Sequence, residues 1–288
     1  MEETNLYSQI KEWIKERNIQ KVSLLTSYIT VRKIKELKNT LDTIKVDDRA
    51  EADDMVKDMR RKKDKEEIYC HKKAQDITDH VFRHICNFIR PGITELDVAR
   101  EIGTMLTRLG SEDKHFNFIV ASGKNSSLPH GFATNKIIEN GDFVTMDFGA
   151  VYRGRLADMT RTIGVGKIDA QQKEIYEIVK EAQKRALDII KPGVICADVD
   201  KAARDYIYEK GYKGCFSHGL GHSVGIEVHE DPRFNTICRE KLVSGIVITV
   251  EPGIYIKGKY GVRIEDMVLV TEDGYKNFTK SDKELIII

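Results

Sequence analysis

Apolar positions along the chain fall into short bursts separated by charge, and their spacing changes near residue 48. Before that point KVSLL (21–25) and DTIKV (42–46) read as strands, with a helix predicted over 29–39 between them. One βαβ unit of this size is a fragment of a sheet, small for an independent domain. Residues 48–68, DDRAEADDMVKDMRRKKDKEE, are charged throughout with mixed sign. They predict a solvated helix leading into a larger domain, and the acids that interrupt MRRKKDK argue against a basic docking patch. The expected division is a partial α/β domain over 1–60 and a main domain over 61–288.

Within the main domain the pattern repeats. IRPGITELDVA (89–99) and IKPGVICADVD (190–200) share Ile, Pro, Gly, Asp and Val at a shift of 101 residues. In each copy a helical pattern precedes the Pro-Gly turn and another follows, ending near Gly110 and Gly211, each suited to a helix C-cap. Downstream, GDFVTMDFG (141–149) matches GIVITVEPG (245–253) at a shift of 104. Two collinear matches that both end on a glycine-flanked carboxylate indicate an internal duplication. Each half then consists of two helices followed by strands.

The strands carry acids where apolar residues are expected. FVTMDF (143–148) suits a strand covered on both faces, yet it contains Asp147, costly to bury unless paired or bound to a metal. A turn around Tyr152-Arg153 would place Asp158, in LADMTRTIGV, opposite Asp147; a shift of the turn by one residue makes the pair diagonal. The second half repeats this, with Glu251 and Glu265 placed symmetrically about Gly258. Like charges this close raise one another's pKa unless a cation intervenes. For any single acid the alternative is an ion pair, for instance to Arg161 or Arg263. Four acids in two duplicated hairpins favour a cation site. Carboxylates with one imidazole suit Mn²⁺ or Co²⁺, with Zn²⁺ and Fe²⁺ also compatible, and four acids with one histidine suffice for two ions.

Three of the eight histidines cluster in HGLGHSVGIEVHE (218–230). The spacing of His218 and His222 is that of a zinc-binding helix, but Gly219 and Gly221 break any helix and no glutamate follows His218. These imidazoles must therefore divide between metal ligation and other work. His71, His80, His84 and His115 lie in charged or helical surroundings and read as structural.

Composition narrows the setting. The 288 residues, 41% hydrophobic, can bury a sizeable core, and a net charge of +1 offers no footprint for nucleic acid or an anionic membrane. No apolar run approaches the roughly 20 residues of a membrane helix. Five scattered cysteines without a CxxC pair fit a reducing cytoplasm, and the acidic, h-region-free start MEETNLYSQIKEW shows no secretory signal. A cytoplasmic enzyme is expected.

Over about residues 60–288 the sequence resembles the pita-bread metallopeptidases, the family of methionyl aminopeptidase, aminopeptidase P and prolidase. The resemblance implies a duplicated α+β fold whose curved antiparallel sheet, flanked by helices, holds two metal ions. It implies five ligands: Asp147 from DFG, Asp158 from ADMTRT, His222 from HGLGH, Glu251 from VEPG and Glu265 from RIED. The auxiliary histidines match as well: His130 in SLPHG, His218 opening HGLGH, and His229 in VHE. DMTRT, GHSVGIEVHE and GVRIEDMVLVT are closer to the proline-specific branch than to methionyl aminopeptidases. That branch carries an N-terminal domain of well over 100 residues, and the roughly 60 residues present here resemble its final strand-helix-strand part, as expected of either a shortened variant or a domain cut at its start.

The implied activity is hydrolysis of the bond before a proline in second position, by hydroxide held between two cations, most readily Mn²⁺. Asp158 and Glu265 would bridge the ions and Glu251 would also accept a proton. His229 would bind the developing oxyanion, while His218 and His130 would orient substrate. Arg263 and Thr160 would position the carboxylates. A strict prolidase, a methionyl aminopeptidase and an inactive binding module on the same fold are the alternatives. Peptides are the expected partners, and a homodimer is compatible with the family.

Overall fold

The structure, a computed structural model, describes residues 6–112 and 118–288. His115 lies outside the described residues. The chain divides into two compact units, with the boundary between Arg60 and Arg61.

In the first unit, α1 (Leu6–Glu16), β1 (Lys21–Ser23), α2 (Val31–Thr40) and β2 (Lys45–Asp47) follow in order, and β1 and β2 pair in parallel. The hydroxyl of Thr30 caps α2 by accepting from the Lys33 amide. Ile14, Leu37 and Leu41 form its small core.

The charged segment is not one helix. α3 (Glu51–Arg61) stops, and α4 (Lys65–Phe88) begins after Asp64, whose carboxylate accepts from the Glu67 amide while the Glu67 side chain returns to the Asp64 amide. This reciprocal cap starts a new helix in mid-segment. Lys63, just before it, is buried.

The second unit is built twice. α4 and α5 (Glu95–Arg108) precede β3 (Ile119–Ser122), β4 (Phe143–Phe148), β5 (Val151–Tyr152), β6 (Arg155–Leu156) and β7 (Met159–Gly164). Then come α6 (Ala170–Asp188) and α7 (Cys196–Glu209), followed by β8 (Gly221–Ser223), β9 (Glu230–Phe234), β10 (Val247–Val250), β11 (Gly253–Ile256), β12 (Tyr260–Arg263), β13 (Asp266–Val270) and β14 (Tyr275–Asn277). The bounds of α5 and α7 differ by the 101 residues of the sequence repeat. Gly110 and Gly211, just beyond those helices, take φ of 85° and 91°, a conformation glycine adopts without strain.

β3, β4 and β7 form one antiparallel sheet, and β14-β13-β10-β8-β9 another. Phe82 and Ile85 of α4 and Val98 and Ile102 of α5 share a core with Val144, Met146 and Phe148 of β4. Ile175 and Val179 of α6 and Val199 and Ala203 of α7 pack with Ile248 and Val250 of β10. The result is the duplicated α+β architecture expected, helices laid against antiparallel strands. All five cysteines are free thiols. No helix among the described residues is long and apolar enough to cross a membrane.

Candidate metal centre

The second hairpin follows the expected register. Gly253 faces Arg263 and Ile256 faces Tyr260, so the ribbon is centred on Gly258, and β10 and β13 continue the same register with Val250 facing Asp266. Glu251 and Glu265 flank the gap between these pairings. The first hairpin turns one residue later than expected. Arg153 and Gly154 both take positive φ, 48° and 71°, in the two-residue loop between the paired Tyr152 and Arg155. Asp147 accordingly faces Thr160, and Asp158, one residue before β7, is its diagonal neighbour. The Glu265 amide donates to the Thr160 carbonyl at 3.0 Å, joining β7 to the second hairpin and bringing the two acidic pairs together.

His222 arrives on β8, paired to β10 through Ser223 and Ile248. Gly221 makes that approach feasible, because a Cβ there would meet the Thr249 carbonyl. Thr249 also orders the site through its hydroxyl, which accepts from the His222 amide at 3.1 Å and donates to Glu251 Oε1 at 3.3 Å.

A carboxylate oxygen each from Asp158 and Glu265 and a ring nitrogen of His222 lie within 4.8 Å of one another. His222 Nε2 is also 3.3 Å from Glu251 Oε1. Asp158 Oδ1 and Glu265 Oε1 are buried without a hydrogen-bond partner among the described residues. Burial, and after it the neighbouring acids, pushes the carboxyl groups of Asp158, Glu251 and Glu265 above the usual carboxylate range. Burial lowers His222 to about 3, leaving a neutral imidazole with a free lone pair, and its Nδ1 is 3.2 Å from the Ser223 carbonyl. Buried, unsatisfied oxygens converging on a neutral imidazole fit a divalent cation.

Asp147 behaves differently. It accepts from Arg263 Nη2 at 2.6 Å, the ion pair weighed above as the alternative for a single acid. The other candidate, Arg161, pairs instead with Asp266 at 2.8 Å. Arg263 is nearly inaccessible and also donates to the Tyr255 hydroxyl, the Pro129 carbonyl and Thr160 Oγ1. Thr160 in turn donates to Glu265 Oε2 at 2.7 Å. Both residues expected to position the carboxylates therefore touch them.

All eight residues expected at the site line one cavity of about 590 Å³. His130 and His229 are exposed on its rim, and the His229 ring lies 4.4 Å from that of His222 between centroids. His218 also lines the cavity, and both of its ring nitrogens are engaged. Its Nδ1 donates to the Gly219 carbonyl at 2.7 Å, and its Nε2 accepts from the Tyr255 hydroxyl at 2.8 Å. Burial holds it neutral, lowering its pKa to about 3. Elsewhere, His71, His80 and His84 bond to the Leu156 carbonyl, the Asp76 carbonyl and Glu101.

Sequence reasoning missed Tyr255 and Arg233. Tyr255 faces Gly261 across the β11–β12 ribbon, and a Cβ on Gly261 would strike its ring. An aromatic opposite a glycine is the signal that was available. Arg233, at the cavity wall with a half-exposed side chain, left no sequence signal beyond its charge.

Comparison with known proteins agrees with this geometry. The profile of metallopeptidase family M24 matches residues 69–272. An uncharacterized peptidase of Bacillus subtilis, YqhT, is 47% identical over 233 residues, covering 81% of this chain and 66% of that protein. The solved structure of a Xaa-Pro dipeptidase from Bacillus anthracis superposes with a TM-score of 0.95 at 42% identity, covering 99% of this chain and 79% of that one. For an X-Pro aminopeptidase from Thermotoga maritima the values are 0.94 and 36%, with coverage of 100% and 81%. The shared pita-bread architecture and the profile matched over residues 69–272 lead to one conclusion: the chain belongs to metallopeptidase family M24.

Proposed function

We propose that the protein hydrolyses the peptide bond between an N-terminal residue and a following proline. The observation that carries this reading is the convergence of Asp158, His222 and Glu265 in a cavity shared with His130, His229 and Arg233. The names of the similar solved proteins supply the substrate class.

Asp147, Asp158, His222, Glu251 and Glu265 would hold two divalent cations, and the oxygen-rich donor set makes Mn²⁺ the first choice. When bound, such ions supply Lewis acidity and a water acidified toward neutral pH. Glu251, held by the Thr249 hydroxyl, accepts the proton shed by the attacking water. His229, exposed above His222, donates to the scissile carbonyl oxygen as it gains charge, a contact worth about 3 kcal/mol in the transition state. His130 orients the substrate from the opposite loop. His218 acts through Tyr255, which it holds against Arg263, and Arg263 fixes Asp147.

Arg233 favours short substrates. Arg233 lines the cavity, its Nε 3.5 Å from Asp231, and its half-exposed guanidinium would pair with the free carboxylate of an Xaa-Pro dipeptide. Manganese-loaded protein assayed on Ala-Pro, Ala-Pro-Ala and Met-Ala-Ser is expected to release alanine from the proline peptides, fastest from the dipeptide. No alanine release from either proline peptide would overturn the reading.

A further inference from the structure

Lys63 is the one residue of the charged 48–68 segment whose ammonium is turned fully inward, with 1% of its side chain exposed. Its amide donates to the Gly245 carbonyl at 2.9 Å, fixing the backbone. Its Nζ donates to Glu230 Oε2 at 2.9 Å, and the Glu230 side chain is 5% exposed. The other oxygen of Glu230 accepts from the amides of Ile226 and Glu227, at 2.9 and 3.2 Å. The carboxylate thus lies across the loop between β8 and β9, and Gly225 makes room for it, since a Cβ there would strike the carboxylate.

This loop begins beside His222 and ends on His229, the residue before Glu230. The β8–β9 register shifts between His222 and Ser223, so strand pairing alone does not fix where His229 sits. The clamp by Glu230 does, together with the Leu156 amide, which donates to the Gly225 carbonyl at 3.2 Å. A buried ion pair gains little stability over a well-packed apolar pair, because desolvation offsets the attraction. What it supplies here is geometry: a compact cation that holds one carboxylate oxygen and so turns the other onto the Ile226 and Glu227 amides.

The geometry points to Lys63 as a positioning residue for the reaction, acting through Glu230 to hold the His229 imidazole above His222. The inference rests on the proposed peptidase reading, in which His229 contacts the substrate. It assigns a function to a residue at the start of the catalytic unit, 167 positions away in sequence from its partner.

The test is a double-mutant cycle on Ala-Pro hydrolysis with Lys63→Met, His229→Ala and both changes, each with measured metal content. A misplaced catalytic group typically costs about 10- to 100-fold. Lys63→Met is expected to lower kcat by about that factor with KM little changed, and to change kcat less than about twofold in the His229→Ala background. A merely structural role would lower kcat by the same factor in both backgrounds, and that result overturns the inference. Hydrogen exchange gives a readout independent of activity. In metal-free protein, Lys63→Met should speed exchange at the Ile226 and Glu227 amides while leaving β10 unchanged, and unchanged exchange in the loop also overturns it. Loosened amides in a protein that hydrolyses no Xaa-Pro peptide would instead refute the peptidase reading and leave the clamp standing. Should Lys63→Met fail to fold, Lys63→Met/Glu230→Gln removes both charges together and takes its place in the cycle.

Discussion

His71 offers a pH dependence that can be worked from the structure. It sits on α4, fully buried, with Nδ1 donating to the Leu156 carbonyl at 2.7 Å and Nε2 unpartnered among the described residues. Burial lowers its pKa from 6.5 to about 4; the Leu156 bond opposes this, nearby Lys63 and Arg155 add to it, and Glu230 opposes it. Because the folded value lies below the unfolded one, the unfolded chain binds the extra proton first. The stability this group contributes is complete above about pH 6.5 and is withdrawn as pH falls toward about 4. Between pH 7 and pH 5 the withdrawal amounts to about 2 kcal/mol. His71→Asn keeps a donor near the Leu156 carbonyl but does not titrate. Its cost at neutral pH, from lost volume, carries over unchanged to low pH. The assay is urea unfolding in EDTA at pH 5, 6 and 7, followed by far-ultraviolet circular dichroism. Trp13, the single tryptophan, lies in the first unit, so its emission reports the wrong transition. The variant should lose about 2 kcal/mol less than the parent protein over this range. Parallel stability curves would refute the reasoning.

Thr160→Val removes the hydroxyl that donates to Glu265 Oε2 and accepts from Arg263, and should weaken metal binding about 10- to 100-fold in chelator competition; unchanged affinity would remove Thr160 from the site. Gly221→Ala forces a methyl against the Thr249 carbonyl and should cost about 1–3 kcal/mol in thermal unfolding and lower metal content, whereas wild-type values for both would show that β8 can shift freely. Metal analysis of manganese-saturated protein should approach two ions per chain, and a plateau at one would contradict the five-ligand assignment.

The parts of the site that were legible are those fixed by local pattern. The Gly258 centre of the second hairpin could be read from the symmetry of Glu251 and Glu265, and the register obeys it. The first hairpin could not be centred, because its turn uses Arg153 at positive φ, a conformation that arginine rarely adopts and does not advertise. The repeat gave both helix pairs, since Pro-Gly turns and C-capping glycines act within one or two turns of chain. What escaped depended on distant partners. Lys63 looks like its solvated neighbours until Glu230 is placed beside it, and Asp64 starts a second helix in the charged segment through a cap that the dense charges obscure. His218 was legible as a member of the cluster, but its hydrogen bond to Tyr255 was not, because that partner lies 37 positions away on another strand.

Charge explains why the site is built from both halves. Asp147, Asp158, Glu251 and Glu265 bring four acids into one cavity, against which Arg263 sets one guanidinium, and burial keeps His218 and His222 neutral. With every acid ionised, three negative charges stay uncompensated. One divalent cation would leave the site still negative, and a second would make it net positive, the condition that favours an acidic water and stabilises a developing oxyanion. A single hairpin supplies two acids, which one cation neutralises. The duplication matters because doubling the hairpins doubles the negative charge, while Arg263, 2.6 Å from Asp147 and 4.0 Å from Glu251, keeps the surplus small enough that two ions would reverse it.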